Sequence, residues 1–255
     1  VCKNAQPGQF IILRVDENGE RVPLTIFDCG KESIKVIYQI VGSSTMALDK
    51  LNKGDALHDV VGPLGEATDL TNLESAIVVG GGVGCAIAYP IAKKLHDLGV
   101  KVASIVGFRS KDLIILENEF KAISDELIVM TDDGSNGNKG LVTQALENLL
   151  SKSKYDKVFA IGPLPMMKFV SLTTKKFNTK TIVSMNSIMV DGTGMCGGCR
   201  VIVDGKAKFA CVDGPDFDGH LVDFDTAIAR SKIYHNFEHA HREEACHLLN
   251  GDKHE

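Results

Sequence analysis

"AIVVGGGVGCAIAYPIAKKLHDLG", residues 76–99, decides the fold. An apolar strand turns into a helix across Gly80, Gly81, Gly82 and Gly84. Glycines at such a turn let backbone amides approach a pyrophosphate at the positive end of the helix. The same glycines suit a tight turn that binds nothing, so the motif alone leaves both readings open.

Working downstream, strand and helix alternate: "VKVASIVGFRS" (100–110) then "LIILENEFKAI" (113–123), "ELIVMTDDGS" (126–135) then "LVTQALENLLSK" (141–152), "KVFAIGP" (157–163) then "PMMKFVSLTTKKF" (165–177). This alternation implies βαβ crossovers and a buried parallel sheet. Asp132 and Asp133 close the third strand, at the end where open α/β sheets collect ligands. A carboxylate there can bond ribose hydroxyls and would repel a 2'-phosphate, which favours NAD(H); an Asx turn or helix cap is the plainer use of either residue. Gly162 and Pro163 repeat the strand-end geometry one strand later. Met166 and Met167 open the next helix, where methionine pairs more often fill a core than wall a cofactor.

Upstream, short β-branched runs ("FIILRV" 10–15, "VPLTIF" 22–27, "SIKVIYQIV" 33–41, "ALHDVVG" 56–62) read as an all-β region. Two of its strand ends carry small hydroxyl residues, Thr25 and the group Ser43, Ser44 and Thr45 beside Gly42. They could bond a flavin edge or a phosphate, and surface turns use the same residues. The chain begins at Val1 and soon enters "QPGQFIILRV" (6–15), a strand already under way, so residues are expected to precede it.

The 255 residues carry 28 Lys and Arg against 33 Asp and Glu, a formal charge of -5 without a basic run, so nucleic acid is not an expected partner. No apolar run approaches the roughly 20 residues needed to span a bilayer, so no membrane association and a cytoplasmic location are expected. Seven cysteines is an odd number. Three of them, Cys196, Cys199 and Cys211, cluster as metal ligands rather than as a disulfide framework. "GTGMCGGC" (192–199) surrounds the close pair with four glycines, which suit amide-to-sulfur bonding in an iron-sulfur site. A structural zinc site usually takes a second close pair; only Cys211 and, further on, His220 follow.

Taken in order, these motifs resemble the ferredoxin-NADP reductase superfamily, and most closely the electron-transfer subunits of dihydroorotate dehydrogenase and their relatives. The resemblance implies a β-barrel (FAD-binding) plus an α/β parallel-sheet NAD-binding domain, with a small C-terminal 2Fe-2S module. The corresponding boundaries are 1–70, 71–183 and 184–225, followed by a helical tail over 226–255. In the dihydroorotate subunits a Cys stands five residues before the Cys-x-x-Cys pair. Asp191 holds that position here, so the resemblance implies Asp191, Cys196, Cys199 and Cys211 as ligands; Asp204, Asp213 and His220 are the other candidates for the fourth. Cofactor contacts are implied at Arg21, Pro23, Leu24, Thr25, Gly42, Ser44 and Thr45 for FAD. For NAD(H) they are implied at Gly81, Gly82, Val83, Gly84, Asp132, Asp133, Gly162, Pro163 and Met166.

"MVDGTGMCGGCRV" (189–201) with "KFACVDGPDFDGHLVDF" (208–224) is similar to a narrower group, the small subunits of NADH-dependent reduced ferredoxin:NADP oxidoreductase, also described as sulfide dehydrogenase subunits. That likeness implies a larger flavin and iron-sulfur partner subunit, with ferredoxin reached through it. The chain departs from the wider superfamily in three places. Arg21 lies one residue early in the flavin motif, Ile87 replaces a proline after the glycine-rich turn, and Ile161 replaces a cysteine before Gly162. The alternatives are an electron-transfer subunit of dihydroorotate dehydrogenase B and a non-catalytic module that binds a dinucleotide and zinc.

Overall fold

The computed structural model describes residues 1–238 and 240. The N-terminal region contains β1 (Phe10–Arg14), β2 (Val22–Thr25), β3 (Asp28–Cys29), β4 (Ile34–Lys35), α1 (Ser43–Asp49) and β5 (Asp59–Leu64). β1 lies between β2 and β5, antiparallel to both, with Phe10 facing Thr25 on one side and Leu64 on the other. Successive side chains of a strand point to opposite faces. Ile11 and Leu13 therefore join Val15 and Ile26 in a small core of their own. Phe10 and Ile12 enter the main core with Met185 and Met189.

Two expectations for this region are corrected. A closed barrel is not formed among the described residues: β2-β1-β5 is one sheet and β3-β4 a separate ribbon. Closure needs continuous edge pairing, but Pro23 in β2 and Pro63 in β5 have no N–H to donate. The run "SIKVIYQIV" also pairs only at Ile34–Lys35, leaving Ile40 and Val41 exposed. Ser43, Ser44 and Thr45, expected at a strand end, instead open α1 after Gly42.

The α/β region follows with β6 (Ser75–Gly81), α2 (Gly84–Asp97), β7 (Lys101–Phe108), α3 (Glu117–Ile123), β8 (Glu126–Thr131), α4 (Val142–Lys152), β9 (Lys157–Ile161), α5 (Leu164–Lys176) and β10 (Lys180–Ser184). These five strands run parallel in the order β10-β9-β6-β7-β8. Both faces are covered: Ala76 and Val78 pack on Ile91 and Leu95 of α2 and Phe120 of α3, while Ile77 and Val79 pack with Leu146 of α4 and Met167 of α5. Chain order reverses direction between β6 and β9. In such sheets that switch point opens a crevice outside the carboxyl ends of the strands.

The third segment holds a hairpin of β11 (Arg200–Val203) and β12 (Lys206–Phe209), then β13 (Asp216–Asp218). β13 pairs antiparallel with β10 and so becomes the edge of the large sheet. Cys199, Val201, Ala210, Cys211 and Phe217 share the main core, so this segment is built onto the α/β region. α6 (Phe224–Ser231) packs against α5 and begins the expected helical tail; residues 241–255 of that tail lie outside the described residues. Among the described residues no helix is long and apolar enough to cross a membrane.

Candidate functional site

Two strand-to-helix turns meet at the switch point. A Cβ on Gly84 would lie 2.6 Å from the Ile161 carbonyl oxygen and 2.8 Å from the Cα of Gly162, so only glycine lets α2 start this close to β9. Gly82 has φ +56°, which glycine adopts without penalty. Met166 packs its sulfur over Gly81 and its methyl group over Gly162, and Pro163 caps α5. Met166 therefore braces the paired turns, the packing role that its residue type favours. Val83, at the tip of the first turn, faces an open cleft.

That cleft has a volume of about 420 Å³, within the range of small-molecule sites. Arg21, Pro23, Leu24, Thr25 and Thr45 line one side, with Val83 and Ile87 at the sheet end. The opposite wall is the stretch from Ser184 to Met189, which leaves β10. Motif reading missed this wall, as well as Tyr38 and Gln39. Its only signal in the sequence was its position, between the last parallel strand and the first candidate ligand.

Several predicted contacts already have partners in the protein. The Thr45 hydroxyl accepts the amides of Val41 (3.0 Å) and Gly42 (3.1 Å) and donates to the Gly42 carbonyl, so it holds the start of α1. Ser44 donates to Glu20 at 3.2 Å, and a carboxylate beside it is a poor neighbour for a phosphate. Gly42 and Ser44 do not line the cleft. Arg21 does line it, and its nearest carboxylate, Asp59 at 3.9 Å, is held more closely by Arg14 at 2.9 Å.

At the end of β8, Asp133 accepts both the amide and the hydroxyl of Ser135, at 2.9 and 2.7 Å. These bonds form an Asx turn and hold the Asp133 carboxyl below the usual range, anionic at neutral pH. Asp132 is exposed beside it, and both backbone amides bond to the end of β7, at Phe108 and Arg109.

The cysteine loop begins directly after the cleft wall. Cys199 and Cys211 are buried, with their sulfurs 3.3 Å apart. Burial, and then the neighbouring Cys199 thiol, push the Cys211 thiol up to about 11. Asp191 accepts the amides of Thr193 (2.9 Å) and Cys196 (3.0 Å), one on each carboxylate oxygen. The first of these bonds contributes most to lowering its acidity range, and it remains an anion beside Cys196. Cys199 and Cys211 thus face each other through their sulfurs, while Asp191 is held to Cys196 through the Cys196 backbone amide. Among the described residues no three such side chains are gathered closely enough to hold a single metal ion; a two-iron cluster with four protein ligands would ask for two on each iron. Amides already reach two sulfurs, from Gly198 to Cys196 and from Cys211 to Cys199, each at 3.4 Å. Gly192, with φ +79°, seats the loop on the N-terminal sheet, where a Cβ would meet Ile12 at 2.7 Å and Leu64 at 2.8 Å. His220, one alternative fourth ligand, bonds Thr174 at 2.9 Å; another, Asp213, accepts the Phe209 amide and Lys208.

Beneath the loop, Thr68 donates to Asp216 at 2.6 Å, tying the segment before β6 to β13, while the other Asp216 carboxylate oxygen is buried without a partner. Burial raises the acidity range of this carboxyl, and the Thr68 bond opposes the rise. A folded state that holds the proton more tightly than the unfolded chain is favoured at low pH, and loses that advantage as pH climbs from about 4 toward the raised value. Asp216→Asn should remove this loss and leave an acceptor for Thr68. Thermal melts from pH 4 to 8 should show the variant gaining on the wild type as pH rises, by about 2–4 °C per kcal/mol relieved. A constant difference across that range would contradict the assignment.

A sequence-family profile described as the iron-sulfur cluster binding domain of dihydroorotate dehydrogenase B matches residues 186–223. The chain is 48% identical over 240 residues to a Thermotoga maritima protein named dihydroorotate dehydrogenase B (NAD(+)), electron transfer subunit homolog, covering 93% of this chain and 85% of that one. It is 36% identical over 221 residues to the Fusobacterium nucleatum electron transfer subunit of dihydroorotate dehydrogenase B, covering 82% and 83%. Among solved structures, a chain of an NADH-dependent reduced ferredoxin-NADP oxidoreductase, studied for flavin-based electron bifurcation, superposes with a TM-score of 0.89 at 46% identity. That superposition covers 96% of this chain and 89% of the other.

Proposed function

The chain belongs to the family of dihydroorotate dehydrogenase B electron-transfer subunits and their homologues, and from that premise we propose that it carries electrons between NAD(H), FAD and a 2Fe-2S cluster inside an NADH-dependent ferredoxin:NADP oxidoreductase. One observation carries this reading: the cleft and the ligand loop share a wall. Ile188 lines the cleft, and its carbonyl oxygen would stand 3.4 Å from a Cβ on Gly198, between Cys196 and Cys199. A flavin in the cleft and a cluster in the loop would be separated by little more than this one stretch of chain.

Flavin supplies the conversion, since it takes up two electrons as a hydride and releases them singly. The residues of this chain position the groups and do no acid-base chemistry. Thr25 bonds the flavin edge, Arg21 offers charge to its phosphates, and the Ser184–Met189 wall closes the far side. The glycines from Gly81 to Gly84, with Gly162 and Pro163, present backbone amides to the dinucleotide, and Asp132 and Asp133 hold the ribose. Asp191, Cys196, Cys199 and Cys211 hold the cluster.

The partner is a larger flavin and iron-sulfur subunit, with ferredoxin reached through it. Val190 (53% exposed), Met195 (88%) and Val212 (46%) give the ligand loop an apolar outer surface suited to such docking. The second reading, favoured by the names of the relatives, places the chain beside a dihydroorotate dehydrogenase; Asp191 in place of cysteine separates the two.

Purification from native extract with an absorption spectrum tests the proposal. A heteromer with flavin and iron-sulfur bands that exchanges electrons with NADP(H) and ferredoxin is expected. Orotate reduction by that complex would favour the second reading. A colourless protein with stoichiometric zinc would end both.

A further inference from the structure

We propose that Arg230 is a positioning residue for the cluster: it fixes the peptide between Gly198 and Cys199 from the far side and favours the reduced state with its charge. This rests on the cluster reading above. The Arg230 guanidinium donates to the Gly198 carbonyl at 3.2 Å, a contact across 32 residues of sequence. Gly198 lies inside the Cys-x-x-Cys turn, and its own amide donates to the Cys196 sulfur at 3.4 Å. In a trans peptide the C=O and N–H point in opposite directions. Drawing the Gly198 carbonyl toward α6 therefore turns the Cys199 N–H away from α6. Amides around the sulfurs are one of the settings of a cluster's potential, so holding this plane is a functional constraint.

α6 is anchored well enough to serve as a strut. Asp223 caps it by accepting the Thr226 amide at 3.0 Å, and Phe224 is buried. Lys168 on α5 bonds Asp225 at 2.6 Å. At the other end of the helix, Arg230 reaches out to the ligand loop rather than capping its own carbonyls. Three thiolates and a carboxylate make the cluster environment anionic, and one-electron reduction adds a further negative charge. A guanidinium beside the loop stabilises that added charge by Coulomb attraction. Of the other cations near the loop, Arg200 is exposed and its charge is screened by solvent, and Lys208 is paired with Asp213 at 3.2 Å.

The experiment is a dithionite titration of the full chain with its cluster, followed by electron paramagnetic resonance, for the wild type, Arg230→Gln and Arg230→Lys. Melting curves show whether each variant remains folded. Arg230→Gln should keep its iron and show a more negative midpoint than the wild type, while Arg230→Lys should lie between the two. A Gln variant with the wild-type midpoint would overturn the proposal, and so would equal shifts in Gln and Lys, which would remove charge as the cause. A wild-type chain with no 2Fe-2S signal would defeat the functional reading itself, which is a separate failure.

Discussion

Asp191→Cys is expected to retain the iron-sulfur signal and shift its potential, whereas Asp191→Asn should lose the cluster or leave it labile. The Asn variant is the informative one because it separates the turn-capping role of Asp191 from the proposed ligand role. The Asp191 oxygens accept the amides of Thr193 and Cys196, and on the proposed reading its charge supplies the fourth ligand. Asn keeps an oxygen for the turn and removes the anion, so a residue that only caps the turn would tolerate it. Cys supplies a softer anionic donor of the kind iron-sulfur clusters usually receive. Cys199→Ala and Cys211→Ala should abolish the cluster whatever Asp191 does, since both thiols are buried and face each other at 3.3 Å. Iron content and the resonance spectrum read the whole series. An unchanged spectrum in Asp191→Asn would reject the ligand role.

Nucleotide choice should show the second large effect. NADH is expected to bleach the flavin faster than NADPH, by about ten- to a hundredfold in kcat/KM, because on the proposed reading the two carboxylates at the end of β8 would meet the extra phosphate. The fold ties this turn to the neighbouring strand: the Asp133 amide donates to the Arg109 carbonyl at the end of β7. Replacing Asp132 and Asp133 together by Asn should narrow the preference, since Asn keeps the turn and removes both charges. Stopped-flow reduction with each nucleotide gives the answer. Equal wild-type rates would discard the ribose role of the acids, and an unaltered preference in the double variant would assign selectivity elsewhere.

Legibility followed the range of the interaction. The parallel sheet could be read because each strand and helix announces itself within about ten residues, and the linking rules for βαβ units leave few ways to arrange them. The glycine turn, the acids at the end of β8 and the cysteine spacing could be read for the same reason: each is a local demand on the backbone or on ligand chemistry. The N-terminal region was harder. Apolar alternation in "SIKVIYQIV" looked like a strand, but alternation does not supply a partner edge, and only Ile34 and Lys35 found one. Ser44 and Thr45 showed the opposite limit. As a sequence they were hydroxyls available to a phosphate, and folding committed one to Glu20 and the other to the start of α1.

The order of elements, the glycine-rich crossover and the family of the chain were therefore contained in the sequence, because local periodicity and spacing carry them. Tertiary structure decided which distant pieces touch. It brought Gly84 against Ile161, placed the Ser184–Met189 wall between cleft and ligand loop, added β13 to the edge of the sheet, and set Arg230 on the carbonyl of Gly198. The glycine, strand-pair and arginine contacts join residues 32 to 77 positions apart, and they depend on how buried faces pack, which no short stretch of the chain encodes by itself.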